Sequence, residues 1–288
     1  MKTSGWKKML RSTYNEYSRN NPFQHGAALS YYALIALVPL LYLSISFFGV
    51  IVGHDTMLDI IASVLKDQIG LKDIGGIMNF LDQVDLGAGS PMMQFLGVIA
   101  LIFSCTAILN SLKGSINTFY GLTSNSGENN NKIVRNLLSR LSSMIFIAGI
   151  TVFVISLYFA ETVFLSIGTT LIEDFKLLGW MITIVGIYGL PLVMNCIIFC
   201  LVLKYLNDGT VRWEMALKGG VLTGFLLFLG QFLIKYYLTN YFFASSGGVA
   251  GSFIVIMVWV YYSSQIIFLG AASTAVYSKY REYPIQLK

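Results

Sequence analysis

Six stretches of the chain lack Asp, Glu, Lys and Arg: Asn20 to His54, Leu86 to Leu112, Leu141 to Ala160, Leu177 to Leu203, Gly219 to Ile234 and Tyr236 to Ser278. A helix needs roughly 20 apolar residues to cross a hydrocarbon core of about 30 Å. Each of the first four stretches therefore predicts one span. The fifth is short and spans only with Lys235 inside the helix, its ammonium snorkelling outward. The sixth is too long for one helix and breaks at Ala244-Ser245-Ser246-Gly247-Gly248, a small, flexible turn. Six helices are expected, over about 25–53, 91–113, 137–165, 179–205, 214–241 and 248–278. A transmembrane β-barrel would instead show alternating segments of about ten residues. The expected fold class is an all-α polytopic membrane protein with six transmembrane helices.

Two polar-flanked segments carry a different pattern. Trp6, Met9, Leu10, Tyr14 and Tyr17 recur at helical spacing with Lys7, Lys8 and Arg11 between them. This predicts a basic amphipathic helix on the inner leaflet, among anionic headgroups. Between spans one and two, Met57, Ile61, Val64, Leu65 and Ile69 form one stripe, and Ile74, Ile77, Met78 and Leu81 another. They predict two short outer-side amphipathic helices that cover the bundle or gate it. The chain thus divides into an amphipathic segment (1–24), a transmembrane domain (25–278) with an outer cap (54–90), and a tail (279–288).

Composition agrees: 56% of the 288 residues are hydrophobic and only 11% charged. Soluble enzymes, nucleic-acid-binding domains and disordered chains need more charge than that. Fifteen Lys and Arg fall in the N-terminal segment, the two even-numbered loops and the tail, against Lys66, Lys72, Lys176 and Lys235 on the other side. The bias predicts a multi-pass protein with both termini in the cytoplasm. Acidic residues lean the opposite way, with Asp55, Asp59, Asp67, Asp73, Asp82 and Asp85 after span one. The net charge of +5 follows from topology and is no nucleic-acid signal. The first apolar run exceeds a signal-peptide core and is read as a retained span. Cys105, Cys196 and Cys200 all lie in predicted spans, so no disulfide framework is expected. Cys196 and Cys200 share a helix face with no His or carboxylate beside them, which argues against a metal; no cofactor is implied.

Four patches carry a family resemblance. Span one reads His25-Gly26-Ala27-Ala28-Leu29-Ser30-Tyr31-Tyr32-Ala33-Leu34, then Leu37-Val38-Pro39-Leu40-Leu41. After span two stands Leu112-Lys113-Gly114-Ser115-Ile116-Asn117, then Tyr120-Gly121. Before span five stands Lys204-Tyr205-Leu206-Asn207, then Val211-Arg212-Trp213 and Gly219-Gly220. The last span carries Trp259-Val260-Tyr261-Tyr262, Gln265 and Gly270-Ala271. The chain resembles the YihY/BrkB family of bacterial inner-membrane proteins, formerly mislabelled ribonuclease BN. The resemblance implies a transporter or exporter linked to the cell envelope. Two departures stand out. The family often has Pro at or beside Asn207, and its last helix usually reads Gly-Ala-Glu where this chain has Gly270-Ala271-Ala272. No role of that Glu is carried over.

An ionisable residue inside a span is a functional-site hypothesis. Glu161 on span three and Lys235 on span five sit toward the outer side at similar depth. They line a substrate or proton path, or form a structural ion pair, or snorkel to the interface. Asn110 on span two, Asn195 on span four, Gln231 one turn before Lys235 on span five and Gln265 on span six add amides, either as helix glue or as walls of a polar cavity. Tyr31, Tyr32, Trp259 and Tyr262 complete the substrate-pathway candidates; the aromatic patch of span six lies mid-helix, where no interfacial belt belongs. Pro39 and Pro191 fall near the middle of spans one and four and are hinge candidates. Gly220 and Gly224 form a Gly-x-x-x-Gly face suited to close helix contact.

The expectation is a carrier of a small or amphiphilic, anionic substrate working by alternating access, in contact with the lipid bilayer. A non-transporting envelope scaffold, or a lipid-binding one, is the alternative. No His-Glu-x-x-His or Gly-x-Ser-x-Gly motif stands in the chain, and an enzyme is not expected. A homo-oligomer through a glycine-rich face is compatible with the pattern.

Overall fold

The computed structural model describes residues 3–63, 65, 74–83, 91–122, 149, 156, 184–240 and 248–287. Among the described residues are eight α-helices and no β-strand beyond one isolated bridge, Gly209 to Leu287. The helices are α1 (Thr3–Arg19), α2 (Pro22–Val52), α3 (His54–Ser63), α4 (Gly75–Gln83), α5 (Pro91–Tyr120), α6 (Leu190–Tyr205), α7 (Trp213–Asn240) and α8 (Gly248–Tyr280). A π-helical turn, Val185–Gly189, runs directly into α6. Helices α2, α5, α7 and α8 are each long and apolar enough to cross a membrane, and α6 is a shorter apolar helix. They fall where spans one, two, five, six and four are expected. The third expected span lies outside the described residues except for Gly149 and Ser156, and so does the turn at Ala244 to Gly247.

Local chemistry sets the helix ends. Asn21 adopts a left-handed φ of 47° between α1 and α2, a conformation that Asn tolerates. Pro22 then opens α2, where its missing N–H costs nothing. Gly53 (φ 95°) separates α2 from α3. At the end of α5, the Leu122 N–H donates to the Asn117 carbonyl and Gly121, at φ 72°, donates to Thr118. This glycine-centred closure satisfies carbonyls the helix leaves open. Helix α8 ends the same way, Tyr283 donating to Ser278 and Glu282 to Lys279, but with Glu282 at φ 62° in the glycine position.

The chain forms two compact units. One comprises residues 1–21, 113–229 and 266–288; the other comprises 22–112 and 230–265. In the first, Tyr17 stacks on Phe119 (centroids 6.2 Å apart) and Phe119 on Phe268 (5.1 Å). The Tyr120 hydroxyl donates to the Leu203 carbonyl at 2.8 Å. Helix α1 is held by this stack, by buried Thr13 and by a Lys279–Glu16 ion pair of 3.4 Å. Its apolar stripe is therefore split: Tyr17 packs inward while Leu10 and Tyr14 stay more than half exposed.

Helix α7 packs through its small residues. A Cβ on Gly220 would lie 2.6 Å from the Cys200 Cα, and one on Gly224 would lie 2.6 Å from the Cys196 N. A Cβ at Gly270 of α8 would strike the Thr223 hydroxyl of α7, and one at Gly219 of α7 would strike that of Thr274 of α8. Both hydroxyls donate to carbonyls in their own helices, Thr223 to Gly219 and Thr274 to Gly270.

The second unit has its own core. Ile45 of α2, Ile61 of α3, Leu65, Ile74, Ile77 of α4, and Val255 and Ile256 of α8 form one buried cluster. Met57 and Met78 pack against it. Ile61, Leu65, Ile74 and Ile77 of the two predicted stripes are thus buried, with Met57 and Met78 beside them; Val64, Ile69 and the Leu81 side chain lie outside the described ones. Gln94 of α5 donates to the Ser46 hydroxyl of α2 at 3.1 Å.

Candidate functional site

The pathway candidates described in the second unit lie on α2, α5, α7 and α8. Tyr31 and Tyr32 meet edge to face, with centroids 5.7 Å apart, and Tyr31 is 56% exposed. Gln265 of α8 donates to the Pro22 carbonyl at 3.2 Å, on the first residue of α2. Gly26, one turn on, also lies against α8: a Cβ there would strike the Gln265 amide and lie 2.8 Å from the Ser264 hydroxyl. Gly26 and Gln265 belong to the first and last of the four sequence patches, so a contact explains their residue types. Tyr262 fits over Gly230, where a Cβ would strike its hydroxyl. Gln231, next in sequence, is exposed, as is Asn110 on α5. Trp259 and Tyr262 are half-buried. Lys235 lies on α7 with its side chain outside the described ones, and Glu161 lies outside the described residues altogether.

Asn195 lies in the first unit, half-buried on α6. The helix before it is irregular. The Leu190 N–H reaches back five residues to the Val185 carbonyl, and Pro191 follows within the first turn of α6. Proline has no N–H to give and clashes with the residue four back, so the ladder opens here. A π-turn is a frequent form of that irregularity, and often marks a functional site. Pro39 lies within α2.

Sequence reasoning missed a polar junction in the first unit. The Asn117 amide donates to Asp208 Oδ2 at 2.7 Å, and its oxygen accepts from the Asp208 N–H at 3.0 Å. Lys113, one turn earlier on α5, pairs with the other carboxylate oxygen at 2.7 Å. Asn207 closes α6 by donating to the Leu203 carbonyl while accepting from the Gly209 N–H. Lys204 donates to the Val211 carbonyl at 2.6 Å and lies over the Trp213 ring. The second and third sequence patches are thus the two sides of one junction. The signal was present as residue types, but not the partnership across about ninety positions.

The tail completes this region. Thr210 N–H donates to the Gln286 carbonyl at 2.8 Å, and the Arg212 guanidinium lies 3.7 Å over the Tyr283 ring. Loop and tail line an open cavity of about 400 Å³. Among the described residues, no group of three or more His, Cys, Asp or Glu could hold a metal ion, and Cys105, Cys196 and Cys200 are free thiols.

Long apolar helices joined through small-residue faces, with polar closures at their ends, define a multi-pass α-helical membrane protein. The family model described as virulence factor BrkB matches residues 13–287, and the chain belongs to that family. It is 22% identical over 274 residues to a UPF0761 membrane protein of Rhodospirillum centenum, covering 95% of this chain and 58% of that protein. It is 23% identical over 282 residues to one of Stenotrophomonas maltophilia, covering 96% and 62%. To one of Psychromonas ingrahamii it is 25% identical over 261 residues, covering 88% and 81%. The chain thus spans about six tenths of the length of the first two relatives. No solved structure is significantly similar to it.

Proposed function

We propose that this chain is a bacterial inner-membrane carrier or exporter of a small or amphiphilic, anionic substrate, working by alternating access with both termini in the cytoplasm. The observation that carries the reading is the π-turn at Val185–Gly189 running into Pro191. An interrupted backbone ladder inside an apolar helix is where transporters place binding sites and moving parts. Pro39 supplies a second interruption in α2. Asn110, Asn195 and Gln231 offer amide donors on three apolar helices, and Glu161 and Lys235 the charges; in this reading they line the path. The surplus of Lys and Arg in the N-terminal segment, even-numbered loops and tail supports the orientation. The protein carries out no covalent chemistry in this reading and uses no cofactor.

One observation favours a lipid-binding or scaffold role instead. Among the described residues, every buried side-chain nitrogen and oxygen already has a hydrogen-bond partner. Cysteines placed at 195 and 231 separate the two readings. A carrier exposes them to an impermeant thiol reagent from one membrane face and then the other; a scaffold leaves them unreactive.

A further inference from the structure

The cavity between the 210–215 segment and the tail is not explained by transport, and it carries a distinct charge pattern. Its walls include Thr210, Arg212, Met215, Glu282, Tyr283 and Gln286. Its volume of about 400 Å³ falls within the range of small-ligand sites. Arg212 and Glu282 both border it, yet they form no ion pair with each other. The Arg212 guanidinium lies over the Tyr283 ring at 3.7 Å, a contact that uses none of its N–H donors. Thus one cation and one anion border a common space and form no ion pair with each other.

The position of the cavity selects the ligand. Two apolar helices end beside it: one candidate span begins at Trp213 and another ends at Tyr280. The cavity residues lie immediately before the first and immediately after the second. That is the depth of lipid headgroups. Exposed Trp213, Tyr205, Tyr280 and Tyr283 stand around this level, as interfacial aromatics do. Glu282 also holds a left-handed backbone where glycine would be easier. Backbone strain of this kind clusters at ligand sites.

We infer that this cavity binds the zwitterionic phosphoethanolamine headgroup of a phospholipid, Arg212 taking the phosphate and Glu282 the primary ammonium. An anionic headgroup would meet Glu282 as a like charge. A headgroup without an ammonium would leave that carboxylate unpaired. The inference does not depend on the carrier reading.

The test is native mass spectrometry of the full chain released from nanodiscs of equal phosphatidylethanolamine and phosphatidylglycerol. The wild type should retain phosphatidylethanolamine about tenfold over phosphatidylglycerol, as one charge-assisted hydrogen bond allows. Arg212→Gln should weaken retention of both lipids about tenfold. Glu282→Gly should abolish the preference while keeping phosphatidylglycerol; because glycine relaxes the backbone at this turn, that loss cannot be ascribed to misfolding. Equal retention of the two lipids by the wild type, or an unchanged preference in Glu282→Gly, would overturn the inference. So would binding of free O-phosphoethanolamine that phosphatidylethanolamine does not displace, since the ligand would then be a soluble compound.

Discussion

Gly220 and Cys200 touch backbone to backbone: a Cβ on Gly220 would come within 2.6 Å of both the Cα and N of Cys200. The next turn repeats the contact with Gly224 and Cys196. Two helices can approach this closely only through small residues, and dispersion contacts along such a face hold helices together where lipid removes the hydrophobic drive. Gly220→Ala should therefore destabilise the protein by about 1–3 kcal/mol, the range for overpacking. Gly220→Leu should prevent recovery of folded protein. Gly114→Ala is the control, because nothing lies within 4 Å of a Cβ at that helical position. It should be neutral or stabilising by up to about 1 kcal/mol. Thermal unfolding in detergent reads all three.

The Asn117–Asp208 pair should behave as a unit. Asn117→Ala removes two hydrogen bonds at once, one of them to a carboxylate, and should cost about 2–3 kcal/mol. Lys113→Met should cost less than about 1 kcal/mol, because the Asp208 side chain is half exposed and its ion pair is screened by water. Equal losses from the two substitutions would show that the ion pair holds the junction as strongly as the amide does.

Ala272 is fully buried at the position where the resembled family usually has Glu. Restoring that residue by Ala272→Glu should not be benign. A buried, unpaired carboxylate costs several kcal/mol or takes up a proton. Lower folded yield at pH 8 than at pH 5 is expected, since the neutral acid is the form burial favours. Wild-type stability at both pH values would reveal a cation facing this site.

Pro191→Ala should restore an N–H to the first turn of α6 and let the ladder close on the Ile187 carbonyl. Amide exchange across 184–195 in nanodiscs should slow. Unchanged exchange would mean that the π-turn is imposed by surrounding packing and not by the proline.

The described long helices were legible in the sequence because bilayer thickness dictates one signal, a long run without charge. The Gly220–Gly224 face and the Cys196–Cys200 face were each legible as a pair, but their meeting was not. A face pattern says that a helix packs closely and not against which neighbour. Helix α1 shows a different limit. Its stripe marked Leu10, Tyr14 and Tyr17 alike, and only the stack on Phe119 separates Tyr17 from the exposed two. The Lys113–Asn117–Asp208 junction and the tail's bridge to Gly209 escaped notice because their partners stand far apart in the chain and show no periodicity. Of the pathway candidates, Gln265 and Tyr262 have structural partners in Pro22 and Gly230 that spacing alone does not reveal.

The carrier reading stands or falls on whether water reaches the amide positions from both sides. The measurement is sided labelling of Asn195→Cys and Gln231→Cys, each in a protein with Cys105, Cys196 and Cys200 replaced by alanine. Right-side-out and inverted vesicles are treated with an impermeant maleimide, with and without the Pro191→Ala change. The account predicts labelling of the same position in both vesicle types, and a shift toward one type when Pro191 is replaced. Failure to label from either side, in protein that remains folded and monodisperse, would contradict alternating access and leave the lipid-binding scaffold as the function.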